Sequence, residues 1–427
     1  MSTRELRRVA IIGGTRTPFC RSNTLYEDLT NLDLLSTALQ GLVDRFDLAS
    51  SGVDELYAGA VTTHAKDWNL AREAALSTSL PANVPAVTIM QACATSLQAA
   101  MIIAAKIAAG HIDSGIAAGS DTTSDAPMVL KRRLAQRLLR FARARTPRER
   151  LRLIGEMRIT DLVPQPPSPA EPRTGLSMGE HCELMAREWN IGREAQDAFA
   201  LDSHTKAAAA YAQGLLDESL VPCAGVWRDN NVRADSDMQK LGALRTAFRR
   251  DERATLTAGN STPLTDGASA VLLASEEWAQ QHGLPILAYL THAQSAAVDF
   301  VTGDGLLMAP TIAMGRMLER ADRTLDSFDV YEIHEAFAAQ VLCTLKAWED
   351  PAYCRDRLGL PGDLGSIDPA RLNPRGSSLA YGHPFAATGA RVLTELAMQL
   401  ENKPPGASGV VSVCTAGGMG VTAIVER

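Results

Sequence analysis

The segment VPAVTIMQACATSLQAAMIIAAKIAAGHIDSGIAAGS, residues 84–120, changes its pattern twice. Residues 84–90 form a short β-type run, the residues after Cys93 have the composition of a buried helix, and residues 114–120 form a second short apolar run. Strand, helix and strand in this order are typical of an α/β fold with a mainly parallel sheet. The segment therefore predicts that fold class and places Cys93 at the N-terminus of its helix.

The same alternation precedes this segment and returns near the end of the chain. Predicted strands at 9–14 and 54–61 alternate with predicted helices at 29–46 and 69–80. Three later segments resemble first-half strands in the same order: 286–293, 328–335 and 409–420. We predict a duplication, with two related layers of strands and helices that face each other; the alternative is chance similarity among common α/β patterns.

A stretch of different composition separates the two halves. It contains a basic run, a proline-rich hinge and helical sequence from Met178 to Gly214. Such a shift in composition marks an inserted subdomain, which we predict to be mostly helical. The predicted division has three parts: an N-terminal half at 1–120 plus about 251–275, the insert at 121–250, and a C-terminal half at 276–427.

The insert holds a basic segment, residues 131–158, with eleven basic and two acidic side chains, a local charge of +9 in a chain whose net charge is −7. Leu134, Leu138, Phe141 and Ile154 are spaced to line one face of an amphipathic helix or helix pair. The simplest interpretation is a solvated face that docks on the acidic remainder of the protein. The alternatives are attraction of a polyphosphorylated ligand, an acidic partner subunit or an anionic membrane surface.

The bulk composition is that of a globular enzyme. The 427 residues are 46% hydrophobic and 21% charged, and the negative net charge argues against a general nucleic-acid-binding surface. Seven scattered cysteines without a C-x-x-C pair favour a reducing compartment over a disulfide framework or a zinc site. The sequence contains no run of about 18 apolar residues and no leader-like apolar segment, so we expect a cytoplasmic protein.

Two cysteines and two histidines carry the chemistry that the sequence suggests. At a helix N-terminus, the Cys93 thiol could ionise more readily and act as a nucleophile, although free cysteine is often only a small buried hydrophobe. His383, in the turn AYGHPFAATGAR, can take a thiol proton or donate to an oxyanion. His334, in YEIHEAFAAQ, can orient a water or donate to an oxyanion, or it can simply cap a helix.

Cys414 ends a predicted strand and is followed by TAGGMG. Glycines at such a position let backbone amides approach a ligand closely, and amides directed at a developing oxyanion contribute about 3 to 4 kcal/mol. A dinucleotide-binding loop is a poor alternative, because the G-x-G-x-x-G order that leads into a long helix is missing.

Taken together, these segments make the chain resemble the thiolase family over nearly its full length. The resemblance rests on the Cys93 segment, GNSTPLTDGAS at 259–269, HEAFA at 334–338, GHPFAATGAR at 382–391 and the C-terminal C-x-x-G-G-x-G. Within the family, HEAFA and the long basic insert are similar to 3-ketoacyl-CoA thiolases of the trifunctional β-subunit type. The resemblance implies a thiolase-like fold of duplicated βαβαβ layers, five-layered αβαβα, with an inserted helical loop domain.

The resemblance also implies roles for individual residues. Cys93 would hold the acyl group, His383 would activate it and help to stabilise the thioester oxyanion, and Cys414 would move the α-proton of acetyl-CoA. The amides of Cys93 and Ala416 would form a second oxyanion hole. The resemblance further implies a pantetheine contact at Thr262, beside Ser261, and a substrate channel that includes Met178 and Phe337.

Two positions depart from the family pattern. Most thiolases have Asn where this chain has His334, so a water held by that Asn would be replaced or bound differently. The third residue of the C-terminal motif is Ala416 rather than the commoner Gly. An alanine amide still donates if its φ is negative.

The expected function is transfer of an acyl group between Cys93 and coenzyme A, most simply the thiolytic cleavage of a 3-ketoacyl-CoA in fatty acid β-oxidation. The alternatives are acetoacetyl-CoA synthesis by Claisen condensation, a ketoacyl synthase and a non-enzymatic binding module. Coenzyme A is expected as a substrate, with no permanently bound cofactor and no metal. The family implies a homodimer or tetramer and allows a partner subunit of β-oxidation. A peripheral membrane contact would be made through the basic segment, 131–158.

Overall fold

The computed structural model describes residues 6–427; the first five residues of the proposed N-terminal half lie outside this range. The described chain contains the strands β1 (Val9–Arg16), β2 (Cys20–Arg21), β3 (Glu55–Ala58), β4 (Ala86–Thr88), β5 (Ser114–Asp121), β6 (Thr265–Ser275), β7 (Ala288–Ala297), β8 (Val330–Ile333), β9 (Ser408–Thr415) and β10 (Met419–Glu426). Its α-helices are α1 (Asn31–Arg45), α2 (Leu48–Ser51), α3 (Leu70–Leu76), α4 (Thr95–Ala108), α5 (Arg132–Arg143), α6 (Pro147–Gly155), α7 (Met178–Glu188), α8 (Arg193–Ala212), α9 (Met238–Gly242), α10 (Glu276–Gln281), α11 (Ala309–Ala321), α12 (Ala338–Trp348), α13 (Pro351–Tyr353), α14 (Ser378–Tyr381) and α15 (Thr388–Glu401).

The strands form a mixed sheet with the order β4-β3-β5-β6-β1-β7-β10-β9-β8, and β2 pairs with β6 at the side. The predicted α/β class is confirmed, but the prediction of a mainly parallel sheet is wrong. Only the pairs β3·β4, β3·β5 and β8·β9 are parallel, and the other six pairs are antiparallel. Alternation with helices predicts parallel pairing only for strands joined by a helical crossover. The three-residue loop between β9 and β10 leaves room only for an antiparallel pair.

The two halves of the sheet share one topology. Strands β3, β5, β6 and β1 follow one another with parallel, antiparallel and antiparallel pairings, and β8, β9, β10 and β7 repeat that order and those directions. The halves join where β1 and β7 pair over Ala10↔Tyr289 and Ile11↔Ala288. The duplication predicted from sequence similarity is therefore present in the fold.

Helices α4 and α15 form the layer between the two halves of the sheet. Thirteen of the fourteen residues of α15 are buried, as expected for a helix packed on all sides. One core cluster joins the apolar side chains of both helices to strands of both halves. Helices α1 and α3 cover the outer face of the first half, and α11 and α12 cover that of the second. This arrangement is the predicted five-layered αβαβα order.

Helices α5 to α9 lie in the interval between β5 and β6, which includes the stretch predicted as an insert. We keep the boundaries 121–250 for the insert as a proposal. Side-chain caps account for the start of α6 and α7: Thr146 accepts a hydrogen bond from the Glu149 amide, and Ser177 and Glu180 form a capping box at α7. None of the helices described between residues 6 and 427 combines the length and apolar character that a membrane crossing requires.

The basic segment folds as the predicted helix pair, α5 and α6, but its buried face differs from the prediction. Leu134 and Leu153 are buried, whereas Leu138 and Ile154, which were predicted to line the same face as Leu134, are 40% and 51% exposed. Phe141 is partly buried under the Arg150 guanidinium. The connection at 144–146 changes the helix direction, so the apolar positions of the two helices do not continue one stripe.

We expect the Gly119→Ala variant to be less stable than the native protein by about 1 to 3 kcal/mol, because overpacking a tight core contact costs that much. A Cβ at Gly119 would lie 2.1 Å from the Ala386 carbonyl oxygen, which belongs to the loop that follows His383. Chemical denaturation would measure the loss. Gly155→Ala is the matched control, since no atom lies within 4 Å of its Cβ position; equal stability of both variants would contradict the close packing of the loop.

Candidate active site

Cys93 stands at a sharp bend between β4 and the central helix α4. Ala92 has a left-handed backbone with φ 44°, and residues 92–94 form a 3-10 turn before α4 begins at Thr95. The Thr95 hydroxyl accepts from the Gln91 amide at 2.9 Å and donates to the Ala92 carbonyl at 2.7 Å. An L-residue in the left-handed region is held there only by its surroundings, and here these bonds hold the thiol in one place.

The prediction that the helix N-terminus would lower the pKa of Cys93 is wrong for this site. Burial raises the pKa of the Cys93 thiol to about 12, and hydrogen bonds from the Ala416 amide and from its own amide oppose the increase only in part. The thiol is 8% exposed, so loss of hydration outweighs the helix terminus. The Cys93 thiol is therefore neutral at rest, and a thiolate would form only if a base within the site took its proton.

His383 is held by contacts on both sides. Gly382 has φ 102°, and a Cβ there would lie 2.5 Å from Thr265 Cγ2, so this position requires glycine. The His383 amide donates to the Thr265 hydroxyl at 2.6 Å, and its ring Nδ1 lies 2.5 Å from the Thr388 hydroxyl. Burial lowers the pKa of His383 to about 3, with the Arg391 charge adding to the effect. The imidazole is therefore neutral and ready to accept a proton.

A buried carboxylate at the end of β5 holds the loop that carries His383. Asp121 accepts hydrogen bonds from the Val61 amide, from the Thr62 amide and hydroxyl, and from the Ala386 amide at 2.9 Å. Burial raises the pKa of Asp121 to about 6, while these donors lower it. Ser96 of α4 adds a second connection, since its hydroxyl donates to the Ala386 carbonyl at 2.6 Å. The Cys93 half and the His383 half are thus joined directly beside the thiol.

His334 follows β8, where its amide donates to the Ser412 carbonyl at 2.8 Å. Its Nδ1 lies 2.7 Å from the Ser378 hydroxyl, and its Nε2 has no hydrogen-bond partner among the described residues. Burial lowers the pKa of His334 well below its usual range, and the neighbouring His383 and Arg391 add to this. His334 is therefore a neutral side chain inside the site and does not cap a helix.

The thiol and the two imidazoles come together although they lie far apart in the sequence. Atoms of Cys93, His334 and His383 that can bind a ligand all lie within 4.8 Å of one another. The two imidazole centroids are 4.0 Å apart. Thiolate and imidazole are also ligands that Zn²⁺ prefers. From the sequence we expected no metal site, although we named all three residues as candidate catalytic groups.

Cys414 is the last residue but one of β9 and is fully buried. Burial raises the pKa of Cys414 well above its usual range, and the Cys93 charge adds to this, so the two sulfur atoms interact. The chain then turns through Ala416, Gly417 and Gly418 into β10, with φ 78° and 69° at the two glycines. Ala416 is not among the described residues with positive φ, so its amide can point at the Cys93 sulfur as the departure from glycine requires.

Met178, Ser261, Thr262 and Phe337 were predicted to contact the substrate or coenzyme A, and the structure gives them different neighbours. Met178 and Phe337 pack against the same apolar cluster as Cys414. Ser261 pairs with Phe337 through a β-bridge, and its buried hydroxyl has no partner among the described residues. The Thr262 hydroxyl, by contrast, donates to the Ser378 carbonyl at 2.9 Å, so in this structure it supports the loop of His383.

Comparison with known families supplies the deciding observation. A family model described as "Thiolase, N-terminal domain" matches residues 9–277, and one described as "Thiolase, C-terminal domain" matches residues 284–427. This chain belongs to the thiolase family. Enzymes of this family are acyltransferases, and so is this thiolase.

Individual relatives agree over the full length. A 3-ketoacyl-CoA thiolase of Erwinia tasmaniensis is 40% identical over 430 residues, which cover 99% of this chain and 98% of the relative, and one of Yersinia enterocolitica is 39% identical with the same coverage. The crystal structure of the Bacillus anthracis acetyl-CoA acetyltransferase is similar with a TM-score of 0.82 and 29% identity. A thiolase of Ascaris suum in complex with coenzyme A has a TM-score of 0.81 and 26% identity. Both structural comparisons cover 99% of this chain and 100% of the other.

Several residues that shape the site of this thiolase were not identified from its sequence motifs. Asp121 and Ser378 reach the candidate catalytic groups through contacts between distant segments, whereas Thr388 lies only five residues after His383, inside the GHPFAATGAR motif, with no role predicted for it. Glu171, in the proline-rich hinge, accepts from the Gly417 amide at 2.8 Å and so ties the insert to the glycine turn. The only signal in the sequence is that Ser378 and Thr388 flank the Gly-His-Pro motif, which by itself does not assign a partner.

We expect the His383→Gln variant to tolerate acid better than the native thiolase. The folded protein keeps His383 unprotonated down to a pKa of about 3, whereas its ordinary pKa is 6.5. As the pH falls between these values, the unfolded chain binds a proton that the folded chain does not, so the native protein loses stability there and the variant does not. The difference in unfolding free energy between variant and native protein should move in favour of the variant by roughly 2 to 3 kcal/mol between about pH 7.5 and pH 4.5. Urea denaturation at both pH values measures it; a constant difference would contradict the buried, neutral histidine.

Proposed function

We propose that this thiolase cleaves 3-ketoacyl-CoA with coenzyme A, giving acetyl-CoA and an acyl-CoA shortened by two carbons, in the degradation of fatty acids. The names of its relatives from Erwinia and Yersinia support this substrate class. The observation that carries the proposal is the meeting of Cys93 and His383 with the Cys414 thiol and the Ala416 amide in one buried site. The same groups acting in reverse would condense two acetyl-CoA molecules, as the name of the Bacillus anthracis neighbour says of that protein.

In the first half-reaction the Cys93 thiol gives its proton to His383 Nε2, and the thiolate adds to the C3 carbonyl carbon of the substrate. The resulting oxyanion collapses, and the bond between C2 and C3 breaks. The electron pair passes to the acetyl-CoA enolate, which takes a proton at carbon from the Cys414 thiol. Acyl-Cys93, acetyl-CoA and a Cys414 thiolate remain.

In the second half-reaction coenzyme A gives its thiol proton to the Cys414 thiolate. The coenzyme A thiolate attacks the acyl-Cys93 thioester, and the new C–S bond forms as the bond to Cys93 breaks. The Cys93 thiolate recovers its proton from His383. We propose that the amides of Cys93 and Ala416 stabilise the oxyanion of the thioester, because both lower the pKa of the Cys93 thiol and so lie close to its sulfur.

The path for coenzyme A is proposed to lead past Ser261. A cavity of about 260 Å³ borders Ser261 and Pro263. Three basic residues also line this cavity: Arg21, Arg233 and Lys240. An apolar rim next to cationic side chains suits a pantetheine arm that ends in phosphates. Coenzyme A is proposed as a substrate that leaves after each turnover.

The two cysteines are expected to fail at different steps when replaced. Cys93→Ala should remove the covalent acyl group that mass spectrometry detects after treatment with acetyl-CoA. Cys414→Ala should still be acylated but should lose at least about a hundredfold in the rate of exchange of the acetyl α-proton, because general acid–base groups contribute that much. Exchange would be followed by NMR in deuterated water.

Cys223→Ala is the matched control, since Cys223 is also buried but packs with Cys20 and Tyr26 in another cluster. It should be acylated and should exchange the proton at native rates. A native level of adduct in Cys93→Ala, or unchanged exchange in Cys414→Ala, would refute the corresponding role.

We propose that the thiolase works as a homo-oligomer, at least a dimer. Strand β4 is an edge of the sheet; Val87 within it is 42% exposed, and Met90, three residues before Cys93, is 66% exposed. A second copy that covers this edge would bury these side chains and shield the site. A monomeric mass in sedimentation equilibrium would refute the proposal. We also propose a cytoplasmic location, because all seven cysteines, each within residues 6–427, are free.

The basic segment is proposed to bind an anionic membrane surface. Nine of its arginines are exposed, and the ion pairs they form among the described residues are made within 131–161. Docking on the acidic remainder of the protein is therefore not what the structure shows. Large apolar side chains lie exposed between the arginines at Leu138, Leu139, Leu151 and Ile154, and directly after the segment at Ile159, Leu162 and Val163. Exposed leucines among arginines are typical of helices that lie in a membrane interface, whereas an acidic protein partner would need only the charges.

Full-length protein should sediment with vesicles of equal parts phosphatidylcholine and phosphatidylglycerol and not with pure phosphatidylcholine. The double variant Arg140→Glu/Arg143→Glu should reduce binding by at least about tenfold, since each basic residue contributes about 1 kcal/mol near such a surface. Leu139→Ser/Leu151→Ser should also weaken it, which a purely ionic contact would not. Arg316→Glu, an exposed charge reversal on α11, is the control and should bind normally. Equal binding of all variants would refute the proposal, and vesicle binding that depends on the arginines alone would refute the insertion of the leucines and leave a purely ionic contact.

A further inference from the structure

The Nδ1 side of His334 contacts a buried arginine through one hydroxyl. Arg391, on the central helix α15, is 3% exposed. Its Nη2 donates to the Ser378 hydroxyl at 2.9 Å and to the Ser377 hydroxyl at 3.1 Å. The Ser378 hydroxyl in turn lies 2.7 Å from His334 Nδ1. Arg391, Ser378 and His334 therefore form one chain of hydrogen bonds that ends in the site.

The protons of this chain can be assigned from the donors and acceptors. A guanidinium has only N–H donors, so the Ser378 oxygen must accept from Arg391. The hydroxyl has one proton of its own, and His334 Nδ1 is its only acceptor within the described chain. If Nδ1 carried the histidine proton, the Ser378 oxygen would accept twice, and its buried proton would have no acceptor, which costs about 1 to 3 kcal/mol.

We infer that Ser378 is a positioning residue, which accepts from Arg391, donates to His334 Nδ1 and thereby fixes His334 as the tautomer with its proton on Nε2. That proton faces the space shared with Cys93 and His383, where the atoms lie within 4.8 Å of one another. His334 then acts as a fixed donor to the oxygen that becomes negative when the thiolate adds to the substrate carbonyl. The catalytic part of this inference rests on the proposed function; the tautomer itself does not.

The contact of His383 has a different consequence. Its Nδ1 lies 2.5 Å from the Thr388 hydroxyl, and among the described residues that hydroxyl has no further hydrogen bond. Within residues 6–427 the Thr388 oxygen accepts from no other donor, so it can accept from His383 Nδ1, which leaves Nε2 unprotonated for the Cys93 proton as the proposed function requires. The two imidazoles, whose centroids are 4.0 Å apart, therefore differ in the hydroxyl that contacts Nδ1: Ser378 for His334 and Thr388 for His383.

The tautomer is measured on the intact protein with ¹⁵N-labelled histidine, since the ring nitrogen shifts of a neutral histidine differ between N–H and unprotonated nitrogen. The signals are assigned by their loss in His334→Gln and His383→Gln. Native His334 should show a protonated Nε2 and an unprotonated Nδ1. In Ser378→Ala the preference should be lost, and a mixture or the opposite tautomer should appear.

The kinetic counterpart separates positioning from packing. Ser378→Ala should lower kcat by about tenfold with KM within about twofold, less than the hundredfold or more expected when the donor itself is removed in His334→Ala. Ser378→Cys, which keeps the size and a weak S–H donor, should lie between Ser378→Ala and the native protein. Ser377→Ala is the matched control: it removes the other hydroxyl contact of Arg391 without touching His334 and should keep both the tautomer and kcat.

A native His334 with its proton on Nδ1, or an unchanged tautomer in both Ser378 variants, would overturn the inference. So would a Ser377→Ala protein that loses the tautomer to the same degree as Ser378→Ala, because the effect would then come from Arg391 alone. Acylation of Cys93 by acetyl-CoA is followed in the same samples. Its absence from the native protein would refute the proposed function, while the nitrogen shifts would still decide the role of Ser378.

Discussion

The site depends on one buried carboxylate. Asp121 ends β5 in the first half of the fold and binds the Ala386 amide in the loop of the second half, while its remaining acceptor positions hold the chain at Val61 and Thr62. The thiol and its base come from opposite halves, so their separation is set by whatever joins these halves next to them. Every donor to Asp121 is an amide or a hydroxyl. The carboxylate therefore stays ionised only because several dipoles replace the water it has lost.

Burial shifts the pKa values of Cys93 and His383 in opposite directions. It raises the pKa of Cys93 to about 12 and lowers that of His383 to about 3, so at rest both groups are neutral. A neutral pair is stable in an apolar site, and charge separates only when substrate supplies an electrophile and oxyanion donors surround the product of addition. The electric field at a helix N-terminus is too weak to offset the rise in the pKa of a thiol that is almost completely buried.

The sequence predicted what is local and missed what is made between distant segments. The α/β class and the helix after Cys93 follow from patterns within short segments, the duplication from similarity between such segments, and the layered fold from the family resemblance. The prediction of a mainly parallel sheet was wrong because strand direction depends on connections outside such segments. Cys93, Cys414 and His383 stand in short motifs, so the sequence could name them as candidates. Asp121 and Glu171 show no such pattern, since a carboxylate acquires its partner only when the chain folds. The exposure of Leu138 likewise reflects the turn between two helices, which the apolar spacing of each helix does not contain.

The duplicated topology has a consequence for how such a site is held together. Cys93 lies in a 3-10 turn before α4, and His383 lies just before a 3-10 turn that leads into α15, the matching central helix. Two copies of one structural unit thus face each other through the same end of the same helix, and each has kept a different reactive group at that end. Neither copy has a reaction to perform by itself. A change in how the two copies pack would therefore separate the thiol from the imidazole even if each copy kept its own fold.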